Sequence, residues 1–177
     1  VATPTSSSAA TSTRAADHLQ AQRLPDALRG AANLSRRAGG LLLDGVEASG
    51  QLTMEAGTRI AADAGAKIKL SANADLRVDG QIDAAAGQVT LALDGRGSAA
   101  TPANVTGFAG VFEVGSAAKI DVSGTSLVVP TVDGTRQGRV LDAGNIVLSV
   151  TDALSGARQT PVHVAAGAQL LANGAQD

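Results

Sequence analysis

From about Ala32 onward, apolar and polar residues alternate in runs of only a few positions, and each run is closed by Gly, Asp or Asn. A period of two is the mark of a strand with one buried face. The inward set on this reading is Leu52 and Met54; Ile68 and Leu70; Leu76 and Val78; Val89, Leu91 and Leu93; Val111, then Val114; Ile120 and Val122; Ile146, Leu148 and Val150; Val162 and Val164. The residues between them, including Lys67, Lys69, Arg77, Thr90, Lys119, Asp121 and His163, point outward.

A recurring corner is more informative than the strands. Met54 precedes Ile60 across Glu55-Ala56-Gly57-Thr58-Arg59, and the same offset joins Val114 to Ile120 and Val164 to Leu170. Val140 leads to Ile146 through Asp142-Ala143-Gly144-Asn145, and Asp63-Ala64-Gly65-Ala66-Lys67-Ile68 repeats the corner. Ile82 to Val89 is a version one residue longer, through Ala84-Ala85-Ala86-Gly87. Small residues suit a corner where the backbone turns with positive φ or passes close to a neighbour.

Six corners of one kind predict a repeat architecture in which each unit buries its apolar face against the next. The expected fold is all-β, a right-handed parallel β-helix, with the hand set by the rule for parallel crossovers. About five or six coils at roughly 4.8 Å per layer would make a rod about 25 to 30 Å long. Asp79-Gly80, Asp94-Gly95 and Asp133-Gly134 carry hairpin-turn chemistry, so an antiparallel sandwich stays open as an alternative. Two segments break the rhythm, about 94–109 and about 124–138, and are expected to leave the corners as loops, the usual place for recognition.

Composition narrows the picture. Aromatic residues are 1% of the 177, two Phe with no Trp or Tyr, while apolar residues reach 44%, so the core is built from Ala, Val, Leu and Ile. Such a core suits a thin repetitive structure and disfavours most enzyme folds. A net charge of −2 supplies no basic field for nucleic acid. No apolar run approaches the roughly 18 residues of a membrane span, and the absence of Cys removes disulfides and thiolate sites. Residues 1–31 read as a leader, flexible in the Ser/Thr-rich stretch to Thr13 and partly helical from Arg14 to Leu24, with Pro25 as a stop. Residues 32–177 read as the β-helical segment, and the chain, lacking an initiator Met, as an internal piece of a longer one.

The run from Gly57 to Leu70, continuing through Leu76-Arg77-Val78-Asp79-Gly80-Gln81-Ile82-Asp83-Ala84 and Gly87-Gln88-Val89-Thr90-Leu91, resembles the coils of filamentous-haemagglutinin-like exoproteins. So do Ala118–Gly124 and Gly138–Ile146; the likeness spans roughly Leu24 to Ala172 and is a style of repeat, not a catalytic signature. The resemblance implies a β-helical shaft segment of a large Gram-negative two-partner secretion adhesin, secreted to the bacterial cell surface and exported by a dedicated outer-membrane transporter. It further implies cell adhesion, biofilm cohesion or virulence, with a host or bacterial surface receptor or polysaccharide as the contact. No Asn-Pro-Asn-type segment of the family's secretion domain is present.

Other chemistry is sparse. Asp75, Asp79 and Asp83 lie four apart, but that spacing does not converge in strands and turns, and solvated turn aspartates are the plainer account of them than a calcium ladder. His18 and His163 are the only imidazoles, too few and too distant for zinc. No metal, cofactor or catalytic residue is assigned. The weak binding candidates sit on the two loops: Arg96 and Arg136 in glycine-flanked turns, Asp133 beside Gly134, and Phe108, which with Phe112 is also suited to packing at a loop root. Arg36-Arg37 reads as a solvated pair. The alternatives are the structural shaft of a contact-dependent toxin-delivery exoprotein and a carbohydrate-active β-helix enzyme, which requires paired carboxylates in a groove. A small polymerising cytoskeletal β-helix is a further one, since the ends of such a stack are unpaired edges.

Overall fold

The computed structural model describes residues 29–39, 42–43, 46–47, 50–95, 110–131, 133–152 and 160–175. Among them there is no helix. The expected partly helical leader is not shown, because residues 1–28 lie outside the described ones.

Twelve strands form three parallel sheets of four. Sheet 1 holds β1 (Leu34–Ala38), β6 (Lys67–Ala72), β9 (Gln88–Gly95) and β14 (Asn145–Asp152). Sheet 2 holds β4 (Gln51–Met54), β7 (Asp75–Val78), β10 (Val111–Val114) and β15 (Val162–Val164). Sheet 3 holds β5 (Arg59–Ala61), β8 (Gln81–Asp83), β11 (Lys119–Asp121) and β16 (Gln169–Leu171). The chain visits sheets 1, 2 and 3 in that order four times, an arrangement compatible with a β-solenoid. The described residues therefore make four circuits, not five or six, about 14 Å from first layer to last at 4.8 Å per step. Two stretches form antiparallel hairpins outside the circuits: β2 (Leu42–Leu43) with β3 (Val46–Glu47), and β12 (Thr125–Pro130) with β13 (Arg136–Leu141).

Register stacks each inward side chain on its counterpart in the next circuit. The rows are Ile60, Ile82, Ile120 and Leu170 in sheet 3, and Leu52, Leu76, Phe112 and Val162 in sheet 2. In sheet 1, Ile68, Val89 and Ile146 form one row and Leu70, Leu91 and Leu148 another. In the two middle circuits these residues are buried, and each such Ile or Leu contributes roughly 1.5–3 kcal/mol of hydrophobic stabilisation. Among the described residues the fourth circuit pairs on one side only, and Val162, Val164 and Leu170 are 39%, 43% and 39% exposed. At the first circuit, Arg36 occupies the row of Leu70 and places a charge in register with these aliphatic residues. In β10 the inward residues are Phe112 and Val114; Val111, expected inward, pairs opposite Asp75 on the outward phase.

The six corners prove to be of two kinds. Glu55–Thr58, Gly115–Ala118 and Ala165–Ala168 join sheet 2 to sheet 3, whereas Ala62–Ala66 and Ala84–Gly87 join sheet 3 to sheet 1. Val140 starts no corner from the interior; it lies on β13 and is 59% exposed. Corners of the second kind are bonded layer to layer, with Gly65 N donating to Ala85 O at 2.8 Å and Ala86 N to Ser123 O at 2.8 Å. Gly144 sits directly on this stack, and a Cβ there would lie 1.6 Å from Gly87 O. From sheet 1 to sheet 2 only the second circuit turns tightly, at Asn73-Ala74. The buried Asn73 side chain accepts from Gly50 N at 2.7 Å, satisfying a backbone donor of the first circuit.

Gly144→Ala is expected to cost about 2–4 kcal/mol, because backbone must move. Ala86 holds φ +53°, where Gly65 of the previous circuit holds +81°; Ala86→Gly is expected to be neutral or to gain up to about 1 kcal/mol, since relief of the left-handed strain outweighs the extra entropy of the unfolded chain. Urea denaturation of both variants checks the opposite signs.

Candidate functional site

The interior is packed with apolar side chains, mostly aliphatic with Phe112 among them, so recognition falls to the corners and outward faces. The connections from sheet 1 to sheet 2 after β1, β9 and β14 are the long ones in the sequence; among the described residues, the β12–β13 hairpin is inserted between sheets 3 and 1.

The hairpin corrects the expectation of a loop over about 124–138. It runs from Thr125 to Leu141 in regular antiparallel register, Thr125 opposite Leu141 and Pro130 opposite Arg136. Its stems meet: a Cβ on Gly124 would lie 2.7 Å from Leu141 O and 3.1 Å from Ala143 N. At the tip Thr131 Oγ1 donates to Thr135 O at 2.8 Å, Gly134 N donates to Thr131 O at 3.1 Å, and Gly134 takes φ +76°, the left-handed conformation that glycine accepts without cost. Two of the four candidates, Asp133 and Arg136, come together at this tip, both exposed. Arg96 and Phe108 lie outside the described residues. Val128 and Val140, diagonal neighbours on one face of the ribbon, are 50% and 59% exposed. Phe112 is buried at the root of the 96–109 excursion.

The outward rows carry ion pairs between circuits. Arg77 reaches Glu113 at 2.7 Å and Arg59 reaches Asp83 at 2.6 Å. His163 extends the row of Arg77 and Glu113 and is exposed. The three spaced aspartates each have a structural task that sequence reasoning missed. Asp75 Oδ1 accepts from Val111 N at 3.0 Å, Asp79 Oδ1 from Ala117 N at 2.8 Å, and Asp83 from Arg59 and Gln81. A carboxylate bonded to the next circuit's amide ties layers together where the strand ladder ends. Asp121 is bonded to Ser123, which holds its carboxyl below the usual range, assisted by the Ser123 amide at 3.0 Å and by Lys119 against the opposing effect of burial. Among the described residues no group of three or more His, Asp or Glu is placed to hold a metal ion. Arg36 and Arg37 are both exposed on β1.

Comparison of the chain with protein-family models, with curated proteins and with solved structures finds no match.

Two outcomes follow from this geometry. Removing residues 125–141 and joining Gly124 to Asp142 is expected to leave the β circular-dichroism signal and cooperative unfolding intact, because the stems already meet; loss of cooperativity would show that the hairpin belongs to the core. Asp121 binds its proton less tightly when folded, so its contribution is present above the unfolded carboxylate value near 3.9 and is lost as pH falls through the lower folded value. Ser123→Ala should therefore destabilise the chain at pH 7, and the deficit should shrink on going to about pH 3 in urea titrations.

Proposed function

We propose that this chain is a right-handed parallel β-solenoid serving as a rigid shaft segment of a large secreted adhesin on a bacterial cell surface, displaying excursions for attachment to cells or surfaces. The observation that carries the reading is that the described strands of four layers keep one register although the connections between them differ in length. Unbroken interlayer hydrogen bonding makes the rod stiff, and chain added at a corner changes what is displayed without disturbing the interior. The resemblance of the coils to filamentous-haemagglutinin-like exoproteins supports the same reading, and with it export by an outer-membrane two-partner secretion transporter. The chain works without catalysis on this account; its contribution is length, stiffness and the spacing of recognition elements.

The hairpin tip, with Asp133, Arg136 and the apolar face of Val128 and Val140, is the contact surface that the described residues offer first. Purified chain is expected to bind bacterial or host cells saturably and to compete with adhesion by a strain carrying the parent protein. Removal of 125–141, or trimming of 96–109, should reduce that binding at least fivefold in a chain that still unfolds cooperatively. A well-folded chain that neither binds nor competes would overturn the adhesive role.

A further inference from the structure

Four asparagines lie among the described residues, Asn33, Asn73, Asn145 and Asn173, and the residues that follow them are Leu34, Ala74, Ile146 and Gly174. An asparagine side chain is open to attack by the main-chain nitrogen of the next residue, a ring closure that a Cβ on that residue hinders and that glycine, having none, permits. Asn33 Oδ1 is held by Lys67 N at 3.2 Å and Asn73 Oδ1 by Gly50 N at 2.7 Å. Asn145 opens β14, with its own amide bonded to Gly87 O at 3.0 Å and the β-branched Ile146 after it.

Asn173, in the corner that follows β16, differs on each count. It and Gly174 are exposed. Its main chain is clamped to the third circuit, with Gly124 N donating to Asn173 O at 2.7 Å and Asn173 N donating to Ser123 Oγ at 3.2 Å. Among the described residues neither its side-chain amide nor Gly174 N makes a hydrogen bond, so the clamp leaves both reacting groups free. A Cβ built on Gly174 would meet no atom within 4 Å, and the space beside the attacking nitrogen is open. The Asp-Gly pairs, which undergo the same closure, are tied by contrast. Asp79 Oδ1 accepts from Ala117 N at 2.8 Å, Asp94-Gly95 lies within β9, and Gly134 N, after Asp133, donates to Thr131 O at 3.1 Å.

We propose that Asn173 is a site of spontaneous covalent modification, at which asparagine converts to aspartate and isoaspartate. Gly174 N gives up its proton and attacks Asn173 Cγ, the bond from Cγ to the side-chain nitrogen breaks, and ammonia leaves with that proton, closing a five-membered succinimide. Water then opens the ring, so the balance is one water consumed and one ammonia released, with no oxidant or reductant. Opening at Cγ restores the main chain with an aspartate. Opening at the main-chain carbonyl leaves Gly174 joined through Cγ, and Asn173 O, the acceptor for Gly124 N, becomes a carboxylate oxygen beside a chain path one carbon longer. The packing has no slack for that path, since a Cβ on Gly124 would already lie 2.6 Å from Ala175 N.

The test is incubation of the purified full chain at pH 8 and 37 °C, followed by peptide mapping with mass spectrometry and chromatographic separation of aspartate from isoaspartate. Asn173 is expected to convert at least about tenfold faster than Asn33, Asn73 or Asn145, giving both acids, with hydrogen exchange at the Gly124 amide quickening as isoaspartate accumulates. Gly174→Ala should slow conversion at residue 173 at least about tenfold in a chain that still unfolds cooperatively, because the added methyl has room in the fold but hinders the closure. Equal or faster conversion at another of the four asparagines, or undiminished conversion in folded Gly174→Ala, would overturn the proposal. So would a folded chain in which residue 173 stays intact while the free peptide Ala-Asn-Gly-Ala converts fully. If the variant does not fold, the ranking of the four asparagines and the free-peptide comparison decide.

Discussion

Like stacks on like at 4.8 Å: every inward residue must find, in the circuit above and the circuit below, a side chain at the same phase of the same strand. Isoleucine rests on isoleucine through Ile60, Ile82 and Ile120, and leucine on leucine through Leu70, Leu91 and Leu148. One residue gained or lost inside a strand would turn its whole inward set toward water. Length variation is therefore expelled to the corners, where it takes the form of an added hairpin, a longer excursion or, at Asp79-Gly80, a deficit.

Much of this stacking is legible in the amino-acid sequence. Alternation places Ile68 and Leu70, Val89 to Leu93 and Ile146 to Val150 on the inner phase, where the fold has them, because a one-sided strand leaves a period-two trace that aliphatic residues carry without ambiguity. The corner spacing also signals parallel stacking. It misleads where an offset of six is matched without its surroundings. Val140 to Ile146 has the right spacing, yet Val140 lies on the second strand of a hairpin, opposite Ser126. Val111 departs from expectation for a related reason: Phe112, suited by its bulk to packing at the loop root, is itself the inward residue, so the true phase lies one position later. The β2–β3 hairpin, in which Leu43 pairs with Val46, has a local signal in the sequence alone, the Asp-Gly dipeptide common in hairpin turns at 44–45.

The aspartates show what a linear reading misses. Asp75, Asp79 and Asp83 lie on one circuit, but the groups they serve, Val111 N, Ala117 N and Arg59, belong to the circuits on either side. Their role depends on which residue is stacked 24 to 38 positions away, and that distance varies with each excursion. Of the site candidates, Asp133 and Arg136 share a hairpin tip because Gly134 permits the turn between them, a local effect legible from the dipeptide alone.

The two ends of the stack are chemically unequal. The fourth circuit offers only aliphatic rows, Ile146, Leu148, Val150, Val162, Val164 and Leu170, while the first interrupts its rows with Arg36 opposite Leu70. Among the described residues, one row that is otherwise aliphatic from the second layer to the fourth, Leu70, Leu91 and Leu148, thus begins in the first layer with a guanidinium, so the stacking rule is relaxed where the side chain is exposed and strict where it is buried.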